Sequence, residues 1–191
     1  MNCHRDSAVN PLVPVGKSFP LMLEPQDTAA VRRTLQEMVD RLGIRCGAMN
    51  VELVVDAQGR VWPIDVGPRN GGNMIPDLLG LIFGVDVVEL TVRAAMGENV
   101  TLDCGEGTPF YATHNLHSSQ NGIFAAVAYS DAIKPYIIRE CVYKTAGEPV
   151  EYFDNAAKAL GIVFLKFPDS VSMQTILGNI HDHVTIKLEE R

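Results

Sequence analysis

The most regular pattern in the chain is a set of apolar residues at steps of three and four between positions 27 and 43. Its members are Val31, Leu35, Met38, Val39 and Leu42. This spacing predicts an amphipathic helix that buries one face. Asp27 or Thr28 supplies the predicted N-cap, and Gly43 ends the helix. The residues before it, up to about Pro25, contain three prolines between positions 11 and 20 and predict irregular chain.

Two alternating apolar segments follow, at 49–55 and 61–66, separated by the turn-like residues 56–59. They predict an antiparallel hairpin. If Val55 pairs with Arg60, Glu52 faces Pro63. Because side chains alternate along a strand, this register predicts one polar face and one apolar face. The polar face carries Asn50, Glu52, Asp65 and Gly67, and the apolar face carries Val51, Leu53, Val55, Trp62 and Ile64.

The rest of the chain alternates between helical and strand patterns. A glycine-containing loop at 67–73 precedes helical residues 75–81, and Asp86 caps a second helix that closes at Gly97. Later segments predict strands over 109–144, with a hairpin turn at 120–122 and a long strand at 133–143. A helix (155–160), a strand (162–167), a helix (171–182) and a strand (184–188) complete the pattern. This predicts an α+β fold with a mostly antiparallel sheet and flanking helices, divided into parts 1–105 and 106–191.

The amino-acid composition argues against several classes of function. The 191 residues are 47% hydrophobic and 20% charged, enough apolar material for a sizeable core. Sixteen Lys and Arg against 23 Asp and Glu give a net charge of −7, and no basic cluster stands out, which argues against nucleic-acid binding. No apolar run approaches the roughly 18 residues that span a bilayer, and the N-terminus lacks a signal-peptide pattern. The sequence therefore predicts a cytoplasmic protein that does not bind membranes.

The polar face of the predicted hairpin is the main candidate for chemistry. Glu52 and Asp65 repel each other unless a cation or a shared proton offsets their charges. Mg²⁺ suits such a pair, because it binds through one or two carboxylates together with waters and substrate phosphates. Arg69 follows the second strand and can hold a phosphate or carboxylate with its planar fork. The alternative from the residues alone is an ordinary solvated face.

At these residues the chain resembles a known family. The stretches 47–56 and 61–72 resemble the metal-binding hairpin of ATP-grasp ligases, in the branches of carbamoyl-phosphate synthetase and biotin carboxylase. That family carries a Glu on one strand and, about a dozen residues later, a Glu-x-Asn-x-Arg signature. Here the signature reads Asp65-Val66-Gly67-Pro68-Arg69. The resemblance implies the C-terminal subdomain of the ATP-grasp fold.

The resemblance also implies roles for particular residues. Glu52 and Asp65 correspond to the Mg²⁺ ligands, which can also hold Mn²⁺. Arg69 corresponds to the catalytic residue that contacts phosphate or the acyl-phosphate. The residues expected to contact the ATP phosphates are Asn50, Arg69, Asn70 and Asn73. Gly67 departs from the family signature, since it replaces an Asn that would ligate a second Mg²⁺.

The implied reaction uses ATP to convert a small carboxylate into an acyl-phosphate, which an amine or similar nucleophile then attacks. Only 51 residues precede Glu52, too few for the ATP-clamping subdomain that the resemblance implies. We therefore expect the C-terminal portion of a ligase, inactive alone and completed by an N-terminal half or a partner chain, with a homodimer as one option. The alternative is a non-catalytic binding or scaffold module, which Gly67 and the short N-terminal segment favour.

We expect structural roles for the remaining candidate residues. His114 and His117 lie three apart in a predicted strand, so they should point to opposite faces and make poor joint ligands. His181 and His183 lie at a predicted helix end, where a cation is favourable without a ligand. The four cysteines form no Cys-x-x-Cys pair and are expected to be reduced, without a zinc site.

Overall fold

The computed structural model describes residues 1–6 and 8–189, and these form two compact units. The sheet unit comprises Met1–Leu21 and Thr108–Arg191, and the hairpin unit comprises Met22–Gly107. The expected division into 1–105 and 106–191 differs from these two units in the placement of residues 1–21. Residues 1–21 belong with the C-terminal part of the chain, because their strands pair with strands of that part.

Ten strands and five α-helices make up the described fold. In chain order they are β1 (Asn2–Asp6), β2 (Asn10–Phe19), α1 (Pro25–Leu42), β3 (Asn50–Val55), β4 (Val61–Gly67), α2 (Ile75–Phe83), α3 (Val87–Ala95), β5 (Tyr111–Leu116), β6 (Gly122–Tyr129), β7 (Ile137–Val142), β8 (Pro149–Val150), β9 (Gly161–Lys166), α4 (Ser170–Gly178), α5 (Ile180–His183) and β10 (Val184–Leu188). Short 3-10 turns occupy Lys134–Tyr136 and Ala156–Lys158.

The sheet unit contains a five-stranded sheet in the order β1-β2-β5-β9-β7 and a three-stranded sheet in the order β10-β6-β8. Neighbouring strands are antiparallel throughout. Every residue of β5 is buried, and the first five residues of β9 are buried. The core therefore lies on these central strands, with α4 contributing Met173 and Ile176 to it. The prediction of an α+β fold with mostly antiparallel sheets is confirmed.

The N-terminal residues form strands, so the prediction of irregular chain up to Pro25 is wrong. Only Gly16 to Phe19 of β2 pair with β5, while Pro11 and Pro14 lie in the part of β2 that pairs irregularly with β1. A proline lacks the N–H that a central ladder needs, but it is tolerated at such positions. The prolines therefore mark the irregular end of a strand.

Three further predictions in the sheet unit need correction. The turn at 120–122 does not join a hairpin, since β5 lies in the five-stranded sheet and β6 in the three-stranded one. The predicted strand 133–143 begins only at Ile137, because Pro135 lies in a 3-10 turn. The helical pattern at 155–160 gives only a 3-10 turn, and the helix predicted at 171–182 is interrupted at Asn179.

The hairpin unit contains the helices that the sequence predicts most closely. Helix α1 ends at Leu42, with Gly43 in the left-handed conformation at φ 66°. It begins at Pro25 with Glu24 as the N-cap, three or four residues before the predicted cap. Helix α3 begins after Asp86, whose carboxylate accepts hydrogen bonds from two backbone N–H groups. The apolar face of α1 is only partly buried, so the predicted core face is weaker than expected.

Within the described residues, no helix is both long enough and apolar enough to cross a membrane.

Gly16 is required where β2 passes between β1 and β5. A Cβ atom at this position would collide with the backbone carbonyl oxygen of Thr113. We expect Gly16→Ala to reduce the free energy of unfolding by about 1–3 kcal/mol, the usual cost of forcing an extra methyl group into a packed interior. Denaturant titration measures the change.

Gly178→Ala is the matched control, because Gly178 ends helix α4 and a Cβ there meets no atom within 4 Å. That variant should be neutral or slightly more stable, since alanine favours a helix over glycine. Equal stability of the two variants would contradict the close approach at Gly16.

Candidate metal and nucleotide site

The candidate metal ligands lie on the hairpin formed by β3 and β4. Close to the turn, Val55 pairs with Val61 and Val54 with Trp62. The register then shifts between Glu52 and Leu53, which is the signature of a β-bulge. Beyond the shift, Glu52 lies directly opposite Asp65, and Asn50 lies opposite Gly67.

The predicted register, with Glu52 opposite Pro63, is wrong for two local reasons. Arg60 belongs to the turn, because its backbone oxygen accepts from the Asp56 N–H and its own N–H donates to the Asp56 carboxylate. Pairing therefore starts one residue later. The bulge then leaves Ile64 without an opposite residue, next to Pro63, which has no N–H for the ladder.

These two shifts together keep the carboxylates on one face. Directly opposite residues of an antiparallel pair point to the same side, with Cβ atoms about 4.5–5.5 Å apart. Glu52 and Asp65 are therefore close enough to share one cation, and they are direct rather than diagonal neighbours. The prediction of a shared face agrees with the pairing.

The prediction for the other face is wrong at Trp62. Trp62 pairs with Val54, which alternation along β3 places on the face of Glu52. The supposedly dry side chains are also accessible, since Trp62 is 53% exposed and Ile64 is 59% exposed. The Trp62 indole donates to Asp56 at 2.9 Å, and the guanidinium of Arg60 lies 5.4 Å from its ring centre. The indole hydrogen bond is the largest cause of the lowered pKa of the Asp56 carboxyl.

The carboxylate pair fits an oxygen-preferring cation with an incomplete protein shell. Asp65 is exposed and forms no ion pair with a described residue, while Glu52 is partly buried. Within 1–6 and 8–189, no three His, Cys, Asp or Glu side chains are grouped as metal ligands. Two carboxylates leave most positions of Mg²⁺ to waters and phosphate oxygens, which is how this ion is usually bound. The residues therefore fit Mg²⁺ held jointly with a phosphate ligand.

Arg69 lies at the end of β4, folded back over Gly67. Its Nε atom is 3.3 Å from the position that a Cβ would take at Gly67. Its Nη1 donates to the backbone oxygen of Asn70 at 2.9 Å. An asparagine side chain at position 67 would press against this guanidinium, so Gly67 allows Arg69 to rest here.

The three candidate asparagines have different surroundings. Asn50 pairs with Gly67, and its Oδ1 lies against Gly71, 3.0 Å from where a Cβ would be. The Asn70 amide nitrogen donates to Thr91 on α3, which ties the loop to that helix. Asn73 has a left-handed backbone at φ 51° just before α2.

The structure therefore brings most of the candidate residues to one end of the hairpin. Asn50, Glu52, Asp65 and Arg69 share it, while Asn70 also has an anchoring role. The contribution of Thr91 was missed, because no local pattern indicates that its hydroxyl accepts from a residue 21 positions earlier.

Comparison with known proteins relates the structure of this chain to a known fold. No family model matches the chain. An uncharacterized protein, y4rH, from Sinorhizobium fredii is 26% identical over 162 residues, which are 84% of this chain and 34% of that protein.

Three solved structures illustrate the structural likeness. Phosphoribosylglycinamide synthetase from Anaerococcus prevotii matches 98% of this chain and 48% of its own, with a TM-score of 0.76 and 19% identity. An L-amino acid ligase from Bacillus licheniformis matches 94% of this chain and 46% of its own, with a TM-score of 0.78 and 18% identity. The biotin carboxylase domain of a Hydrogenobacter thermophilus 2-oxoglutarate carboxylase, solved with MgADP and bicarbonate, matches 93% and 41% at a TM-score of 0.64 and 13% identity.

The chain thus has the fold of part of an ATP-grasp ligase, as the resemblance implied. It spans about half the length of the first two solved structures and about a third of the curated relative. The carboxylate pair and Arg69 lie on a hairpin within that fold.

The hydrogen bond between Asn70 and Thr91 can be tested by a double-mutant cycle. We expect Asn70→Ala and Thr91→Val each to lower the free energy of unfolding, with a coupling energy of about 0.5–1.5 kcal/mol, the usual net contribution of one hydrogen bond. Denaturant titration of both single variants and the double variant measures it. Gln58→Ala, in the exposed hairpin turn, should show no coupling to Thr91→Val. Additive effects of the first pair would mean that Asn70 does not anchor the loop.

Proposed function

We propose that this chain is the metal-binding and ATP-phosphate-binding portion of an ATP-grasp ligase. The ligase activates a small carboxylate as an acyl-phosphate, and an amine or similar nucleophile then displaces the phosphate. The observation that carries the proposal is the direct pairing of Glu52 with Asp65 on a hairpin of the ATP-grasp fold. The biotin carboxylase structure with MgADP supports nucleotide and magnesium as the ligands of such a fold.

Glu52 and Asp65 are the proposed ligands of Mg²⁺, with Mn²⁺ as a substitute. The ion, when bound, would neutralise charge that develops on the transferred phosphoryl group. The two carboxylates hold it beside Asn50 and the loop 67–73, where Asn70, Asn73 and the glycine backbone can contact phosphate oxygens. Because Asp65 has no described basic partner, binding a cation there breaks no ion pair of its own.

Arg69 is the proposed catalytic residue, acting by charge stabilisation. Its hydrogen bond to the Asn70 carbonyl is exposed, so exchanging it for a phosphate contact costs little. The guanidinium presents several N–H donors in one plane and can hold two oxygens of a transferring phosphoryl group at once. Donors aimed at developing charge contribute most to such reactions.

The proposed activity belongs to a larger assembly. The chain matches less than half of the solved ligases' own length, which supports completion of the ATP site by an N-terminal half or a partner chain. The carboxylate and the nucleophile would be chosen largely by that additional region.

A non-catalytic binding module is the second candidate, and one observation favours it. Gly67 provides no ligand for a second ion, and Arg69 fills the space beside it. A protein with this arrangement would bind a metal and nucleotide phosphates without efficient transfer.

Trp62 is the single tryptophan and lies on the face of Glu52, so its fluorescence reports on the metal site. We expect Mn²⁺ to quench this fluorescence in a saturable way and Mg²⁺ to compete. Glu52→Gln and Asp65→Asn should each weaken Mn²⁺ binding roughly tenfold or more, because one of two ligands is lost. Glu89→Gln, on the exposed surface of α3, is the control and should bind as the unaltered protein does. Unchanged quenching in both site variants would refute the metal site.

Arg69 distinguishes the two candidate functions. In the complete enzyme, we expect Arg69→Ala to lower the rate of phosphate release about a hundredfold to a thousandfold, or about 3–4 kcal/mol, and Arg69→Lys to restore part of it. Folding should change little, since Arg69 is exposed. Steady-state phosphate release with parallel thermal melts measures both effects.

Arg60→Ala, which removes another exposed arginine of the same hairpin, is the control. If the protein is a ligase, phosphate release should fall in the Arg69 variants and stay unchanged in Arg60→Ala. Metal binding without phosphate release in the unaltered complete protein would instead identify the non-catalytic module.

A further inference from the structure

The sheet unit contains a cluster of ionisable residues that the proposed ligase chemistry does not use. It consists of His4, Asp6, His114, His117 and His181, and is called here the histidine cluster. It includes four of the five histidines of the chain. Asp6, His114 and His181 line two cavities, of about 310 Å³ and 140 Å³. Residues more than a hundred positions apart thus line the same two cavities.

Two members of the cluster are already paired with each other. His117 Nε2 lies 3.1 Å from an Asp6 carboxylate oxygen, and the other oxygen accepts from the Ala8 N–H. The second ring nitrogen of His117 lies 2.7 Å from the Asn115 carbonyl oxygen and must donate to it. Although burial opposes it, the hydrogen bond from His117 lowers the pKa of Asp6. The only carboxylate of the cluster is therefore already engaged.

His114 is a buried member for which the described residues provide no hydrogen-bond partner. It is 6% exposed, and its ring centre lies 5.4 Å from that of His117. No hydrogen bond joins His114 to a described residue. Every fully enclosed side-chain nitrogen of the described chain has a hydrogen-bond partner, so the nitrogens of His114 are not fully enclosed. Its ring nitrogens are therefore accessible, and His114 lines both cavities, where a ligand can be met.

Most of the ionisable side chains around His114 are basic, and the one carboxylate among them, Asp6, is already paired with His117. His114 is faced by His4 and Asp6 on β1, by His117 just after β5 and by His181 on α5, and Arg5 lines the smaller cavity. Burial, followed by the repulsion of His117, lowers the pKa of His114 to about 3, which favours the neutral imidazole near neutral pH. An anion in the cavity would offset both effects and favour the imidazolium form.

We propose that the histidine cluster forms a binding site for a small oxyanion, and that His114 takes up a proton from solvent when the anion binds. The larger cavity has the volume of roughly ten liquid waters, enough for a phosphate or a short carboxylate with some water. A metal ion is the less favoured occupant, since no three ligand side chains are grouped around one point in the described chain.

The test uses the unaltered chain with ¹⁵N-labelled histidine and NMR detection of the imidazole nitrogens. Sulfate and acetate are titrated separately, because neither changes charge between about pH 6 and pH 8, and sodium chloride controls for ionic strength. We expect sulfate, acetate or both to convert the His114 signals from neutral imidazole to imidazolium. A response to sulfate alone indicates a phosphate-like ligand, and a response to acetate alone indicates a carboxylate. Unchanged His114 signals, or the same change with chloride, would overturn the proposal.

Variants and pH provide a second measurement by calorimetry. His114→Gln and His181→Gln should weaken anion binding roughly tenfold or more. His183→Gln is the control, since His183 contacts Ser130 and lines neither cavity. Affinity should fall by up to about tenfold per unit of rising pH, because a proton is taken up with the anion. Affinity that is independent of pH, or equal in all three variants, would contradict the role of His114.

Discussion

The β-bulge at Ile64 holds Glu52 and Asp65 directly across the hairpin, and the candidate chemistry depends on this constraint. Two unit charges about 4 Å apart repel by about 1 kcal/mol in bulk water and by more where the surroundings are less polar. Among the described residues, no basic side chain pairs with Asp65 to relieve this repulsion. A divalent cation would relieve it, which is the physical basis of the proposed metal site.

The elements around the hairpin hold the loop that carries the proposed phosphate contacts. Asn70 is fixed to Thr91, whose hydroxyl donates to the Val87 carbonyl at 2.6 Å, so the middle of the loop is attached to the start of α3. The guanidinium of Arg69, one residue earlier, makes an exposed hydrogen bond to the Asn70 carbonyl. An anchored backbone with an exposed guanidinium can present its charge to a ligand without reorganising the loop, which is the arrangement that the proposed charge stabilisation requires.

Local signals predicted local structure well, and long-range pairing much less well. The end of α1 at Gly43 and the start of α3 at Asp86 follow from capping chemistry within a few residues. The pairing of β2 with β5 joins residues about a hundred positions apart, and nothing in the first 21 residues indicates it.

The same distinction holds at the two sites. The ATP-grasp resemblance identified Glu52 and Asp65 because they lie in one continuous motif. Their register depended on a bulge that alternation alone does not reveal, so Trp62 was assigned to the wrong face. The histidine cluster was missed because His117 lies just beyond β5, where strand alternation with His114 no longer applies. Its other members come from β1 and α5, which only the folded chain brings together.

The hairpin unit also explains why the ligase proposal concerns a larger protein. A two-stranded sheet is marginal without further packing, and this one leaves Val54, Trp62 and Ile64 exposed. Exposed apolar groups beside a charged site are costly in water unless another surface covers them. The matched ligases are about twice as long as the matched region. Because removing water around Glu52 and Asp65 would strengthen their attraction for a cation, covering this face would favour both folding and metal binding.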